Sequence, residues 1–234
     1  MDAVLSALAK AFGQLADGAV LRVFAKSIGL TMLIFVAFGI ALWWGIESAA
    51  EAWFPGFLAE NWGTAVALTV VFSAIAFWFL FRVVALAVLQ FFADEIVAAV
   101  EAKHYPVKAE QARPLPFRED MSNSLRGIGR ALGFNLLALP VALVLLVTGI
   151  GPALVFLAVN GWLLGRELTD MAWLRHRGEA LPDNPVPKGQ RLMLGGVIAA
   201  MMAVPFANLI APVIGAAAGT HLTQRWIAQR EPGA

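Results

Sequence analysis

Apolar residues run in long blocks along this chain, interrupted by a few clusters of charge, and the block lengths predict its elements. Ser27 to Ile46 is about twenty residues, enough at about 1.5 Å per residue to cross a hydrocarbon core of roughly 30 Å as one helix. Thr64 to Phe92 is longer, about 43 Å as a helix, and implies a second crossing that tilts or extends beyond the core. Phe134 to Thr148, Ala153 to Gly165, Leu192 to Phe206 and Leu209 to Leu222 each reach only about 20 to 22 Å. Gly149-Ile150-Gly151-Pro152 and Pro205-Phe206-Ala207-Asn208 join them in pairs, predicting two helical hairpins. Ahead of all these, Val4, Leu5, Leu8, Phe12 and Leu15 recur at helical spacing, which fits a helix in the membrane interface and equally a helix packed on protein.

Charge orients these elements. Lys10, Arg22 and Lys26 precede the first span, a second group runs from Lys103 to Arg130, a third from Arg166 to Arg191, and Arg225 and Arg230 end the chain. Between the two spans stand Glu47, Glu51 and Glu60 with no lysine or arginine, flanked by Trp43, Trp44, Trp53 and Trp62 as an aromatic belt. The positive-inside rule then places both termini in the cytoplasm. Each hairpin, basic at its base and uncharged at its tip, enters and leaves by the cytoplasmic face. The hairpins are therefore expected to be re-entrant, reaching partway into the bilayer, with short spans that thin the bilayer as the alternative. Arg82, alone inside a span, is expected near the inner boundary, either snorkelling or paired with a carboxylate of a neighbouring helix.

The expected fold is an all-α integral membrane protein of one domain. It comprises an interfacial helix over 1–26, two long spans over 27–92, a cytoplasmic connection over 93–133 and a first hairpin over 134–165. A connection over 166–191, a second hairpin over 192–222 and a tail over 223–234 follow. Composition agrees: 60% hydrophobic residues, 14% charged residues and a mean hydropathy of +0.75 leave too little polar surface to cover a soluble globule. A net charge of +1 gives no reason to expect a nucleic-acid partner.

Catalytic chemistry has little to work with. The absence of cysteine excludes thiolate nucleophiles and thiolate metal sites. There is no nucleophile elbow, metalloprotease helix or phosphate-binding loop, and His104, His176 and His221 are far apart in sequence. No enzyme activity, metal or cofactor is expected. Gly129/Gly133, Gly161/Gly165 and Gly215/Gly219 are spaced one helical turn apart, as close-packing helices require, whether within the chain, around a narrow path or between subunits. Arg126, Arg130 and Arg166 lie at hairpin bases beside Asn135 and Asn160. Topology alone accounts for such arginines, and so does guidance of an anion. Arg22, Lys26 and Ser27 precede the first span, where free helix N–H groups would add to their attraction for an anion.

Several segments together resemble the bacterial CysZ group within the etoposide-induced-protein superfamily. They are Phe92-Ala93-Asp94-Glu95-Ile96 with Val100-Glu101, Asn160-Gly161-Trp162-Leu163-Leu164-Gly165-Arg166-Glu167, Arg175-His176, and Pro205 with Gly215-Ala216-Ala217. The resemblance covers nearly the whole chain, with Phe91 where the family often has proline. It implies a bacterial inner-membrane protein with long spans and hemi-penetrating hairpins, forming oligomers and admitting sulfate for assimilation. It also implies a sulfate site near the cytoplasmic start of the first long helix, where the family has paired arginines and a Gly-Leu-Asn-Leu segment. Arg22 and Lys26 match loosely there, and Gly29-Leu30 is followed by Thr31. The function expected is a channel-like, homo-oligomeric permease for sulfate or a related oxyanion. The rival is a non-transporting membrane scaffold or assembly factor.

Overall fold

The structure is a computed structural model and describes residues 2–53, 63, 66–67, 70–71, 74–75, 93–113, 116–179, 181–204 and 207–230. Among these it is all-helical: α1 (Asp2–Gln14), α2 (Gly18–Trp53), α3 (Ala93–His104), α4 (Pro106–Gln111), α5 (Phe117–Val144), a 3₁₀ turn (Leu145–Thr148), α6 (Gly151–Leu174), α7 (Lys188–Ala203) and α8 (Ala207–Ala228). Two compact units divide the chain, residues 1–21 with 93–234, and residues 22–92.

In the first unit α1, α3, α6 and α7 pack around α8, while α5 packs on α6. Every described side chain from Ala211 to Gln224 is buried, including Thr220, His221, Thr223 and Gln224. An Ala- and Gly-rich helix suits this position, because small side chains let α1, α3, α6 and α7 approach it from several directions. Gly215 faces the Leu168 side chain, with methyl carbons 3.0 Å from where a Cβ would sit, and a Cβ at Gly219 would strike the Leu168 carbonyl oxygen. The N-terminal segment is not one helix over 1–26. It breaks at Leu15 to Asp17, and α1 buries Val4, Ala7, Leu8, Ala11 and Gln14 while Leu5 and Phe12 stay exposed. Its buried stripe meets α8, so protein packing occupies that face.

The hairpin arms are longer than the apolar runs alone predict, because polar residues at their bases continue each helix. The α5 helix has 28 residues, about 42 Å, and α6 has 24, about 36 Å. Between them Gly149 takes a positive φ of 74°, a conformation glycine adopts without strain. The Thr148 hydroxyl accepts the Gly151 N–H at 2.8 Å, and Pro152 stands in the first turn, where its missing donor leaves no bond unmade. Ala138 and Ala142 are buried, whereas Leu136, Leu137, Val144 and Val147 lie between 71% and 91% exposed. So much apolar surface is stable against lipid and not against water. Gly129 and Gly133 have nothing within 4 Å of an added Cβ among the described residues. Their spacing is that of a packing face, but among the described residues no helix covers it.

In the second unit α2 presents Ile28, Met32, Leu33, Val36, Ile40, Trp43 and Trp44 as exposed apolar surface. The Thr31 hydroxyl donates to the Ser27 carbonyl at 2.8 Å within the helix. Gly18–Gly45 and Met121–Thr148 are, among the described residues, the two helical stretches long and apolar enough to cross a membrane. Most of the run Thr64 to Phe92, with Arg82, lies outside the described residues, as do Glu60, Trp62 and the Trp53 side chain.

Candidate anion-binding site

Glycine brings cations together at the base of the first hairpin. A Cβ on Gly165 would strike the backbone carbonyl of Arg191, one on Gly195 would strike that of Gly161, and one on Gly161 would lie 3.0 Å from Gly196 Cα. With hydrogen at all three positions the backbones of α6 and α7 touch. This close crossing sets the first turn of α7, with Lys188 and Arg191, against Arg166 of α6.

These three cations line a cavity of about 400 Å³ with Asp170, Asp183 and Asn184, and the indoles of Trp162 and Trp173 supply further wall. Asp170 is already engaged, accepting from Arg166 Nε at 3.2 Å and from Asn184 Nδ2 at 2.7 Å. Asn184 is itself held, since its Oδ1 accepts the Val186 N–H at 2.9 Å and its Nδ2 also reaches Thr169 Oγ1 at 3.0 Å. Arg191 Nε is buried with no hydrogen-bond partner among the described residues. Burial lowers the Arg191 pKa from the usual arginine value, Asp170 pulls it back, and the Arg166 charge adds to the fall. The guanidinium stays charged regardless. Three cations against two carboxylates, with a buried donor left over, suit an oxyanion that can accept from arginine.

A buried polar knot ties the end of α6 to α3 and α8. Glu101 of α3 is fully buried and accepts from Arg175 Nε at 3.0 Å, from His176 Nε2 at 2.8 Å and from Gln224 Nε2 of α8 at 2.8 Å. Burial alone would raise the Glu101 pKa. The hydrogen bond and charge of His176, with the charge and hydrogen bond of Arg175, outweigh it and hold the carboxyl below its ordinary value of 4.5. Trp173, two residues before Arg175, donates to the Leu181 carbonyl at 3.2 Å and carries Arg177 5.6 Å from its ring centroid.

The residues expected to contact an anion do not form one cluster. Arg166 lines the cavity just described. Arg126 lies on a different cavity with Arg113 and Arg177, and Arg130 acts electrostatically on Glu167. Asn135 and Asn160 turn back on their own helices, donating to the Ala131 and Phe156 carbonyls at 2.8 Å, which satisfies them without a ligand. Arg22, Lys26, Ser27 and Gly29 stand inside α2, which begins at Gly18. Free helix N–H groups belong to the first turn, so the N–H groups of Ser27 and Gly29 are committed to the helix and the helix-end attraction expected there is absent. Lys188, Arg191 and Asn184 were not singled out by the sequence. The first two read as topology charges, and only Asn184-Pro185, a turn signal, marked the loop.

Among the described residues the fold is all-helical, with two stretches long and apolar enough to cross a membrane, and one cavity sets three cations against two carboxylates. The family model described as Sulfate transporter CysZ/Etoposide-induced protein 2.4 matches residues 7–212, and the chain belongs to that family. No curated protein and no solved structure matches the chain. The family is one of transporters, which implies an oxyanion substrate and a lipid environment.

Proposed function

We propose that this protein is a channel-like permease of the bacterial inner membrane that admits sulfate or a related oxyanion, working as a homo-oligomer with both termini in the cytoplasm. Family membership supports the transport class. The observation that carries the anion assignment is Arg191, a partly buried side chain whose buried Nε has no hydrogen-bond partner among the described residues, beside Arg166 and Lys188 in the same cavity. An oxyanion bound there would take the spare Nε–H and balance the excess positive charge. Re-entrant hairpins fit the same reading, because their basic bases would bring Arg166 and Arg191 to the cytoplasmic mouth. Arg22 and Lys26 on α2 are the rival contact point.

The deciding experiment is sulfate flux into proteoliposomes that carry the purified protein. Flux in the parent and its loss in Arg191→Gln are the expected results. A parent that folds and reconstitutes but passes no sulfate, phosphate or molybdate refutes the permease and favours a membrane scaffold.

A further inference from the structure

A second cavity, of about 730 Å³, opens between the start of α5 and the loop that follows α6. Arg113, Arg126 and Arg177 line it, with Glu119, Ser122 and Asn123. Among the described residues three guanidiniums against one carboxylate leave an excess of two positive charges, and the hydroxyl and amide add neutral donors. The transport reading makes no use of this cavity.

What lies beyond it along α5 decides the class of ligand. At about 100° per residue, Glu119, Ser122, Asn123 and Arg126 share one face of that helix. The same face continues through Arg130 and Gly133 to Leu137, Val141 and Val144. Gly133 has no neighbour within 4 Å of an added Cβ among the described residues, while Leu137 and Val144 are each 73% exposed and Val141 is 51% exposed. Leu137 lies about 16 Å along the axis from Arg126, close to the depth of one leaflet of a hydrocarbon core roughly 30 Å thick. A cationic pocket that runs into an uncovered apolar face one leaflet long is complementary to an amphiphile with an anionic head. A free oxyanion would use the first part and leave the second bare.

We propose that this cavity binds the phosphate of an anionic phospholipid, with an acyl chain along the Leu137 and Val144 face of α5. The guanidiniums hold the phosphate oxygens at the level of the interface, and the apolar face takes the place of neighbouring lipid.

Native mass spectrometry of the purified protein with phosphatidylglycerol or phosphatidylcholine tests this. The parent should retain phosphatidylglycerol at collision energies that strip phosphatidylcholine. Arg113→Gln/Arg126→Gln should weaken phosphatidylglycerol about thirtyfold, whereas Arg225→Gln/Arg230→Gln, at the far end of α8, should keep it. Arg126→Gln alone, at an exposed side chain, should weaken it about fivefold and serves should the double variant not fold. Equal retention of the two lipids by the parent overturns the proposal whatever the variants do. Displacement of the lipid by millimolar inorganic phosphate overturns it too, and assigns the cavity to a free oxyanion.

Discussion

Glu101 and Arg175 stand 74 residues apart in sequence and meet at 3.0 Å, with the carboxylate entirely buried. Their contact, shared with His176 and Gln224, ties α3 and α8 to the end of α6, the helix that carries Arg166. Position at the hairpin base therefore depends on a charge removed from water and compensated on several sides.

Removing that charge leaves Arg175 and His176 without their acceptor. Glu101→Ala should destabilise the fold by about 3 to 5 kcal/mol, the usual cost of breaking a buried pair from one side. Thermal unfolding in detergent, followed by tryptophan fluorescence, measures it. A change under about 1 kcal/mol would show that the knot contributes little.

The same carboxylate predicts an acid limit. Its folded pKa lies below the ordinary 4.5, so its contribution is complete above that value and lost as pH falls through the folded pKa. Between pH 6 and pH 3 the parent should lose stability more steeply than Glu101→Gln, which has no proton to bind at that site. Parallel curves for the two proteins would contradict the assignment.

Glycines separate the helix faces that touch from those that do not. Gly165→Leu and Gly195→Leu should prevent folding, or lower the melting temperature sharply, because each side chain would enter a neighbouring backbone. Gly133→Ala, on open surface, should be neutral or stabilise by up to about 1 kcal/mol through helix propensity. Equal behaviour of Gly133→Ala and Gly165→Ala in thermal scans would remove the distinction.

These glycines also mark what a sequence can tell. Spacing identified Gly129/Gly133 and Gly161/Gly165 alike, but only the second pair meets another backbone, because periodicity gives a face and not its neighbour. Gly195 belongs to no such pair and is nonetheless the partner. The turn at Gly149 and Pro152 was legible because local backbone rules set it. The centrality of α8 was not, since an apolar helix facing protein and one facing lipid have the same hydropathy. The Glu101 knot was represented only by Val100-Glu101 and Arg175-His176 as two separate features of the resemblance. Its assembly depends on contacts across 74 and 123 residues, which periodicity does not reach.

Two sets of cations are candidates for the proposed anion site, and their settings differ. Arg166 and Arg191 share a cavity in which one donor is buried and unused, whereas Arg22 and Lys26 lie exposed on α2, beyond its first turn. A charge-assisted hydrogen bond contributes about 1.5 to 3 kcal/mol when shielded and much less when water competes. Arg191→Gln should therefore weaken sulfate binding about tenfold to a hundredfold, and Arg22→Gln/Lys26→Gln by less than about fivefold. Isothermal titration with sulfate on detergent-purified protein reads both, and flux in proteoliposomes shows whether binding and conduction fall together. Reporter fusions after residues 110, 180 and 234 should stay cytoplasmic in each variant, since many inward charges remain. If the α2 variant loses binding and Arg191→Gln keeps it, the capture site is on α2, and the cavity between α6 and α7 has another role.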